Sequence, residues 1–215
     1  MEATNIDAMI CRQWIVSGKI RQAKQWLATQ EQTAEILLLT AMCQKEGQLA
    51  YWERAIEALR QQPPSEDLIL SLGQAIKYSR MGCDQKRQLQ YLHEIIHVSK
   101  ELKEPLQLLH WKAILANLYL QIGQIEKAQP LLQESVQESI ASKQRLLLIS
   151  QGILLSSLWM QTGQFEKAAA LSLLIEQAAI ERSNWLAFAT ARNIRASCWM
   201  IRKQEKQSVH LLLDS

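Results

Sequence analysis

The sequence predicts an all-α protein, a right-handed solenoid of about six helical hairpins, from three observations. The chain is nearly free of helix breakers, with 7 Gly and 4 Pro in 215 residues. A six-residue motif that opens at Gly123 opens again at Gly163, and the same step taken once more lands on a third, degenerate copy. On both sides of that motif, apolar residues recur at helical rather than strand spacing.

The motif comes first because it sets the register. Gly123-Gln124-Ile125-Glu126-Lys127-Ala128 returns as Gly163-Gln164-Phe165-Glu166-Lys167-Ala168, and the degenerate copy is Lys203-Gln204 with Glu205-Lys206 one residue early. Four residues before each copy stands a large aromatic: Tyr119, Trp159 and Trp199. Three residues before each aromatic stands a small residue, Ala116, Ser156 or Ala196, preceded by Leu115 and Leu155 in the first two copies. The first half repeats less regularly. Gly18-Lys19-Ile20 with Ala23 and Leu27 is one copy, with Trp14 and Cys11 in the aromatic and small positions. Gly47-Gln48-Leu49 is a second, and Met81-Gly82 a weaker third.

Each copy reads as helix, turn, helix. Leu147, Leu154, Leu155 and Leu158 fall on one face of the helix before Gly163, and Ala168, Leu171, Ile175 and Ala178 on one face of the helix after it. Gly163 ends the first helix because glycine enters the left-handed region without a Cβ clash. One hairpin leaves apolar surface open, so it must stack on the next. Ala128 and Ala168 are expected where paired helices cross closely. Tyr119, Trp159 and Trp199 are expected to fill gaps between hairpins, and Gln164 to be solvated. The expected organisation is irregular hairpins over 1–62, one irregular hairpin over 63–104, and regular hairpins with a short terminal helix over 105–215. Pro63-Pro64-Ser65 reads as a soft boundary with Ser65 as an N-cap.

These residues resemble the tetratricopeptide repeat (TPR). Leu155, Ser156, Trp159, Gly163, Phe165 and Ala168 follow that family's pattern in order, as do Leu115, Ala116, Tyr119, Gly123, Ile125 and Ala128. The family's usual repeat is about 34 residues, and the longer step from Gly123 to Gly163 is similar to the variant in bacterial regulatory solenoids. The resemblance implies a superhelix whose first helices line a concave groove. The groove residues it implies are His110, Ala113, Asn117 and Gln121, then Ile153, Ser157, Met160 and Gln161, then Asn193, Ser197 and Met200. It implies a partner protein or peptide, bound by an adaptor, a chaperone, a regulatory subunit or a peptide-sensing regulator. Lys112 and Asn117 stand five apart, on different faces, so the family's carboxylate clamp is not expected.

Composition narrows the alternatives. The net charge is +3 and its excess lies in the second half, too thin for a phosphate-binding stripe, so nucleic acid is not an expected partner. The longest apolar run near the middle, Leu146–Ile149, is far short of a membrane span. No basic start leads into an apolar run, so no secretion signal is expected. Cys11, Cys43, Cys83 and Cys198 are widely spread and read as small core residues of a reduced, cytoplasmic protein. No Gly-rich phosphate loop and no nucleophile–base set stand out, so neither cofactor nor catalysis is expected.

Three constellations compete with that reading. His93-Glu94-Ile95-Ile96-His97 has the spacing of a zinc protease, with two ligands one turn apart and Glu94 as base. With Leu89, Leu92, Ile96 and Ser99 as the core stripe, His93 and His97 instead fall on a solvated face. Arg192, Arg195, Arg202, Lys203 and Lys206 form a basic cluster, either solvated or a contact for an acidic surface. Leu211-Leu212-Leu213 near the end is either self-covering or a self-association surface.

Overall fold

The computed structural model describes residues 2–44 and 48–213, with side chains over 7–44 and 49–203. Among these residues there are eleven helices and no strand: α1 (Glu2–Val16), α2 (Ile20–Leu27), α3 (Ala34–Cys43), α4 (Gln48–Leu59), α5 (Glu66–Met81), α6 (Gln85–Glu101), α7 (Pro105–Gln121), α8 (Ile125–Ala141), α9 (Arg145–Gln161), α10 (Phe165–Glu181) and α11 (Trp185–Leu213). They form five hairpins, and the sixth copy is present as the single helix α11. The chain divides into two compact units, Met1–Leu108 and Leu109–Ser215.

In the first unit, α1 packs on α2 and α3, and α3, α4, α5 and α6 pack each on the next. Contact between α1 and α3, the first helices of consecutive hairpins, is what makes a stack rather than isolated pairs. Ala8, Cys11, Ala23, Leu27, Ile36, Leu39 and Cys43 form the core of this end, with Trp14 and Trp26 packed against it. Side chains satisfy the starts of three helices. The Thr33 hydroxyl accepts from Ile36 N–H, the Ser65 hydroxyl from Leu68 N–H, and the Asp84 carboxylate from Arg87 N–H.

Pro63-Pro64 does not separate two packed bodies. α4 packs on α5 across it. Arg12 Nη2 donates to Asp67 Oδ2 at 3.2 Å, and Arg60 holds Glu94 of α6 through Nε–H to Oε1 at 2.9 Å and Nη2–H to Oε2 at 2.7 Å. Glu53 of α4 likewise takes Arg87 at 2.7 Å and the Tyr91 hydroxyl at 2.8 Å. Burial first, and then the bond to Glu53, push the Tyr91 hydroxyl up to about 12.

The second unit is more regular. α9 packs on α8 and α10, and α11 packs on α10 and also on α9. Leu132, Val136, Leu148, Leu155, Leu158, Leu171 and Ile175 share one core with Ala116, Ala178, Ala187 and Ala191. The core face of α9 is rotated from the expected stripe. Leu148, Ile149, Gln151, Gly152, Leu155, Ser156 and Leu158 are buried, whereas Leu147 and Leu154 are half-buried. A helix touched from two sides buries a wider arc than a single i, i+7 stripe. In α6 the buried residues include Tyr91, Leu92, Ile95, Val98 and Ser99, with the expected Leu89 and Ile96 only half-buried. Gln164, expected to be solvated, is half-buried in its turn, where its amide bonds the Thr162 hydroxyl at 3.0 Å and accepts from Lys167 at 2.9 Å.

The turns reveal a finer period than the sequence motif. Left-handed residues stand at Cys83 (φ 55°), Lys103 (57°), Gly123 (76°), Lys143 (56°), Gly163 (74°) and Ser183 (52°), evenly spaced at half the step of the motif. Each of α6 to α10 is 17 residues long. A connection of constant length follows each of them, so helix and connection repeat as one unit. The turn residue of the third copy is therefore Cys83, and the expected Gly82 has φ −87°. The regular pattern begins at α6, ahead of the expected residue 105.

Two expectations at the ends change. α11 runs unbroken through Lys203-Gln204, where a turn and a short terminal helix were expected. No glycine stands there, and Arg202-Lys203-Gln204-Glu205-Lys206 is a run of good helix formers. Trp199 consequently fills no gap between hairpins and is 66% exposed. The Gly47 turn lies outside the described residues.

Candidate partner-binding surface

The repeat makes each side chain of α7 comparable with its counterparts in α9 and α11. One face of α7 and of α9 is committed to the second helix of the same hairpin. On α7 it carries Leu109, Lys112, Ala116 and Tyr119, all buried. The Lys112 ammonium meets Glu134 at 2.7 Å and Glu138 at 3.7 Å, both on α8. On α9 the same face carries Ile149, Gly152, Ser156 and Trp159. A Cβ on Gly152 would stand 2.8 Å from Ile175 Cδ1 of α10, so the Ile175 side chain would have to shift to admit one.

A second committed face looks back to the preceding hairpin. There Leu155 of α9 and Val136 of α8 share an apolar core. One repeat on, the same two positions hold Arg195 and Glu176, joined by Nε–H to Oε1 at 2.8 Å and Nη2–H to Oε2 at 3.1 Å. Glu176 is buried and Arg195 half-buried. Arg195, expected in a basic cluster, stands where the earlier copies have Leu115 and Leu155, and its pairing with Glu176 was not expected. The signal was available in the aligned copies, because both positions change together. The Lys112–Glu134 pair carries no such signal, since its counterparts are Gly152 and Leu174.

The remaining face holds the residues expected to line a groove. Ala113, Ile153 and Asn193 make one row, Asn117, Ser157 and Ser197 a second, Met160 and Met200 a third, where α7 has Leu120, and Gln121 and Gln161 a fourth. Asn117, Ser157 and Ser197 are half-buried, and Gln121, Gln161, Asn193 and Met200 exposed. Among the described residues, the side chains of Asn117, Ser157, Ser197, Asn193, Gln121 and Gln161 have no hydrogen-bond partner. Ile153 and Met160 are instead half-buried against a core cluster of Ala168, Ile194 and Cys198. His110 is exposed and meets Trp111 edge-on, with ring centroids 5.3 Å apart.

The expected basic face is partly neutralised. Arg195 is held by Glu176, and Arg202 meets Glu166 at 2.8 Å. Arg192 lies over the Phe188 ring at 5.8 Å and Lys203 over Trp199 at 5.6 Å. The side chains of Lys206 and of Leu211, Leu212 and Leu213 lie outside the described part.

The His93-Glu94-Ile95-Ile96-His97 segment lies on α6 with both histidines exposed. His97 Nδ1 is 3.6 Å from Glu101 Oε1. Glu94, the residue the protease pattern would use as base, is engaged at both oxygens by Arg60. Among the described residues no three His, Cys, Asp or Glu side chains gather as a metal site. Within the first unit, a cavity of about 740 Å³ opens between Trp26, Gln30, Glu31, Glu35, Gln62 and Asp67.

No family model and no curated protein matches this sequence. Solved structures do match, over nearly the whole chain. A kinesin light chain with nearly identical TPR-like repeats from Podosopora anserina has a TM-score of 0.59 at 14% identity, covering 98% of this chain and 91% of that one. A Rap protein complexed with competence and sporulation factor has a TM-score of 0.61 at 12% identity, covering 97% of this chain and 65% of that one. BtubC from P. vanneervenii has a TM-score of 0.55 at 14% identity, covering 91% of this chain and 92% of that one. The chain therefore has the fold of the TPR-like repeat proteins. It is thus an α-helical repeat protein, built of hairpins that pack each on its neighbour.

Proposed function

We propose that the chain is a protein-interaction module that holds a peptide or partner segment along the open face of α7, α9 and α11, and that it is not an enzyme. The observation that carries this reading is the recurrence of unpartnered Asn117, Ser157 and Ser197 at one register, flanked by Gln121, Gln161 and Asn193. An extended peptide offers backbone donors and acceptors at regular intervals, and side-chain amides and hydroxyls serve both. Met200 adds adaptable apolar contact. The likeness to the Rap protein supports the reading, since that protein is complexed with a second molecule, competence and sporulation factor. The role would be that of an adaptor, a chaperone or a regulatory subunit. Cys11, Cys43, Cys83 and Cys198 are free, which suits the cytoplasm. No helix among the described residues is long and apolar enough to cross a membrane.

The same Rap likeness favours one second reading, a peptide-sensing regulator in which the held ligand biases the stacking of the first helices. A zinc hydrolase at His93 and His97 is disfavoured by Arg60, which holds Glu94. The test is affinity capture from native extract with the tagged chain and its Asn117→Arg/Ser157→Arg variant. One stoichiometric partner is expected, reduced at least tenfold by the variant. Equal recovery with both forms would remove the open face from the reading.

A further inference from the structure

We infer that α11 carries a separate docking site, on the face formed by Ala189, Arg192, Ala196 and Trp199, for an amphipathic helix of a partner protein whose carboxylates meet Arg192. The inference does not rest on the groove reading above. It rests on a comparison of three equivalent helix faces. Ala189, Arg192, Ala196 and Trp199 are the repeat counterparts of Ile149, Gly152, Ser156 and Trp159, and of Leu109, Lys112, Ala116 and Tyr119. In α9 that face is closed by α10, with Gly152 against Ile175. In α7 it is closed by α8, with Lys112 against Glu134 and Glu138 and with Lys127 over the Tyr119 ring. In α11 all four residues are exposed, and the helix continues where the two earlier copies turn back.

The open face has the shape of a helix seat. Ala189 and Ala196 are small and line a depression of about 550 Å³ with Phe188, Thr190, Arg192 and Asn193, the last of which also borders the proposed groove. Large apolar side chains flank it, Leu186 at 80% exposure on one side and Trp199 at 66% on the other. Adjacent exposed apolar side chains of this kind mark an interaction site more strongly than single ones do.

Charge selects the occupant. No acidic residue occurs between Glu181 and Glu205. Arg195 and Arg202 are paired with α10, which leaves Arg192 and Lys203 facing outward over aromatic rings. Two copies meeting through this face would bring these cations together, which disfavours a dimer. A helix set as α8 is set on α7 would instead bring two carboxylates, one turn apart, to Arg192, as Glu134 and Glu138 come to Lys112. The occupant is therefore a helix with an Ala- and Leu-containing stripe bordered by acidic residues at i and i+4.

The chain itself supplies a probe. A fluorescein-labelled peptide of residues 124–143, the α8 sequence, is titrated into the full chain and followed by anisotropy. Saturable binding is expected, weakened at least tenfold by Ala196→Arg, which fills the seat, and by Arg192→Glu. Binding to the Arg192→Glu chain should return when the peptide carries Glu134→Lys and Glu138→Lys. Both chain substitutions are at exposed positions, so thermal melts should match the parent chain. Absence of saturable binding would overturn the inference. So would binding indifferent to both substitutions, or a concentration-dependent dimer that Ala196→Arg dissolves in the absence of peptide. The Asn117→Arg/Ser157→Arg variant should bind this peptide as the parent does, which separates this site from the proposed groove.

Discussion

Cys83 stands in the left-handed region at a position where the next two copies use Gly123 and Gly163. A side chain with a Cβ is disfavoured there by roughly 1–2 kcal/mol through its contact with the following carbonyl. Cys83→Gly should therefore raise stability by about 1 kcal/mol, and Gly163→Ala should lower it by about 1–2 kcal/mol. A Cβ at Gly163 would meet no other atom within 4 Å, so the loss would be local backbone strain and not a clash with a packed neighbour. Urea titrations of the two variants would check this, and an unchanged midpoint for Gly163→Ala would contradict it. These turns also mark what a sequence conveys at the level of single residues. Gly18, Gly123 and Gly163 were legible because glycine prefers their conformation. Cys83, Lys103, Lys143 and Ser183 adopt it against preference, held by the helices on either side, and no local signal announced them.

Between elements, the α10–α11 contact repeats the α8–α9 contact with different chemistry. The pair Glu176–Arg195 replaces the apolar Val136–Leu155 at the same two positions. Arg195→Leu alone would leave the Glu176 carboxylate buried without its partner, a loss of about 2 kcal/mol once the half-exposure of Arg195 is allowed for. Adding Glu176→Val should restore the preceding copy's contact and recover most of that loss, since well-packed apolar pairs replace buried ion pairs at little cost. A double-mutant cycle by thermal melting measures the coupling, and strict additivity would refute it. The helices and their hairpins were readable from periodicity, but the buried arcs of α6 and α9 fell off the expected stripes. Which faces stayed open was not. Trp199 matches Tyr119 and Trp159 in sequence, but its surroundings depend on whether a second helix follows, and that turns on the continuity of α11.

Across the whole molecule the four cysteines separate into one exposed and three buried. Ellman's reagent should therefore titrate Cys83 rapidly, with Cys11, Cys43 and Cys198 reacting only as the chain unfolds. Four fast thiols in the native protein would refute the packing of both ends. Burial, reinforced by neighbouring Cys11, pushes the Cys43 thiol up to about 11. Its unfolded counterpart ionises near 9, so between these values the unfolded chain holds fewer protons than the folded one. The contribution of this thiol to stability is then full below pH 9 and is lost as pH rises toward 11. The overall class was legible because a solenoid's contacts are local and copied. The open rows on the first helices were legible only through the family resemblance, whose positions for Ile153 and Met160 proved to be half-buried against a core cluster.

The constant span of each helix and connection has a consequence for how the chain tolerates changes in length. From Cys83 to Ser183 the left-handed residues never depart from their even spacing. Removing one residue from a helix interior would rotate everything beyond it by about 100°, turning solvated side chains inward. Excising or duplicating one whole repeat at equivalent turns would leave each surviving side chain on its own face. Length in this part of the chain is therefore quantised, and growth or shrinkage by whole hairpins is the change its packing can absorb.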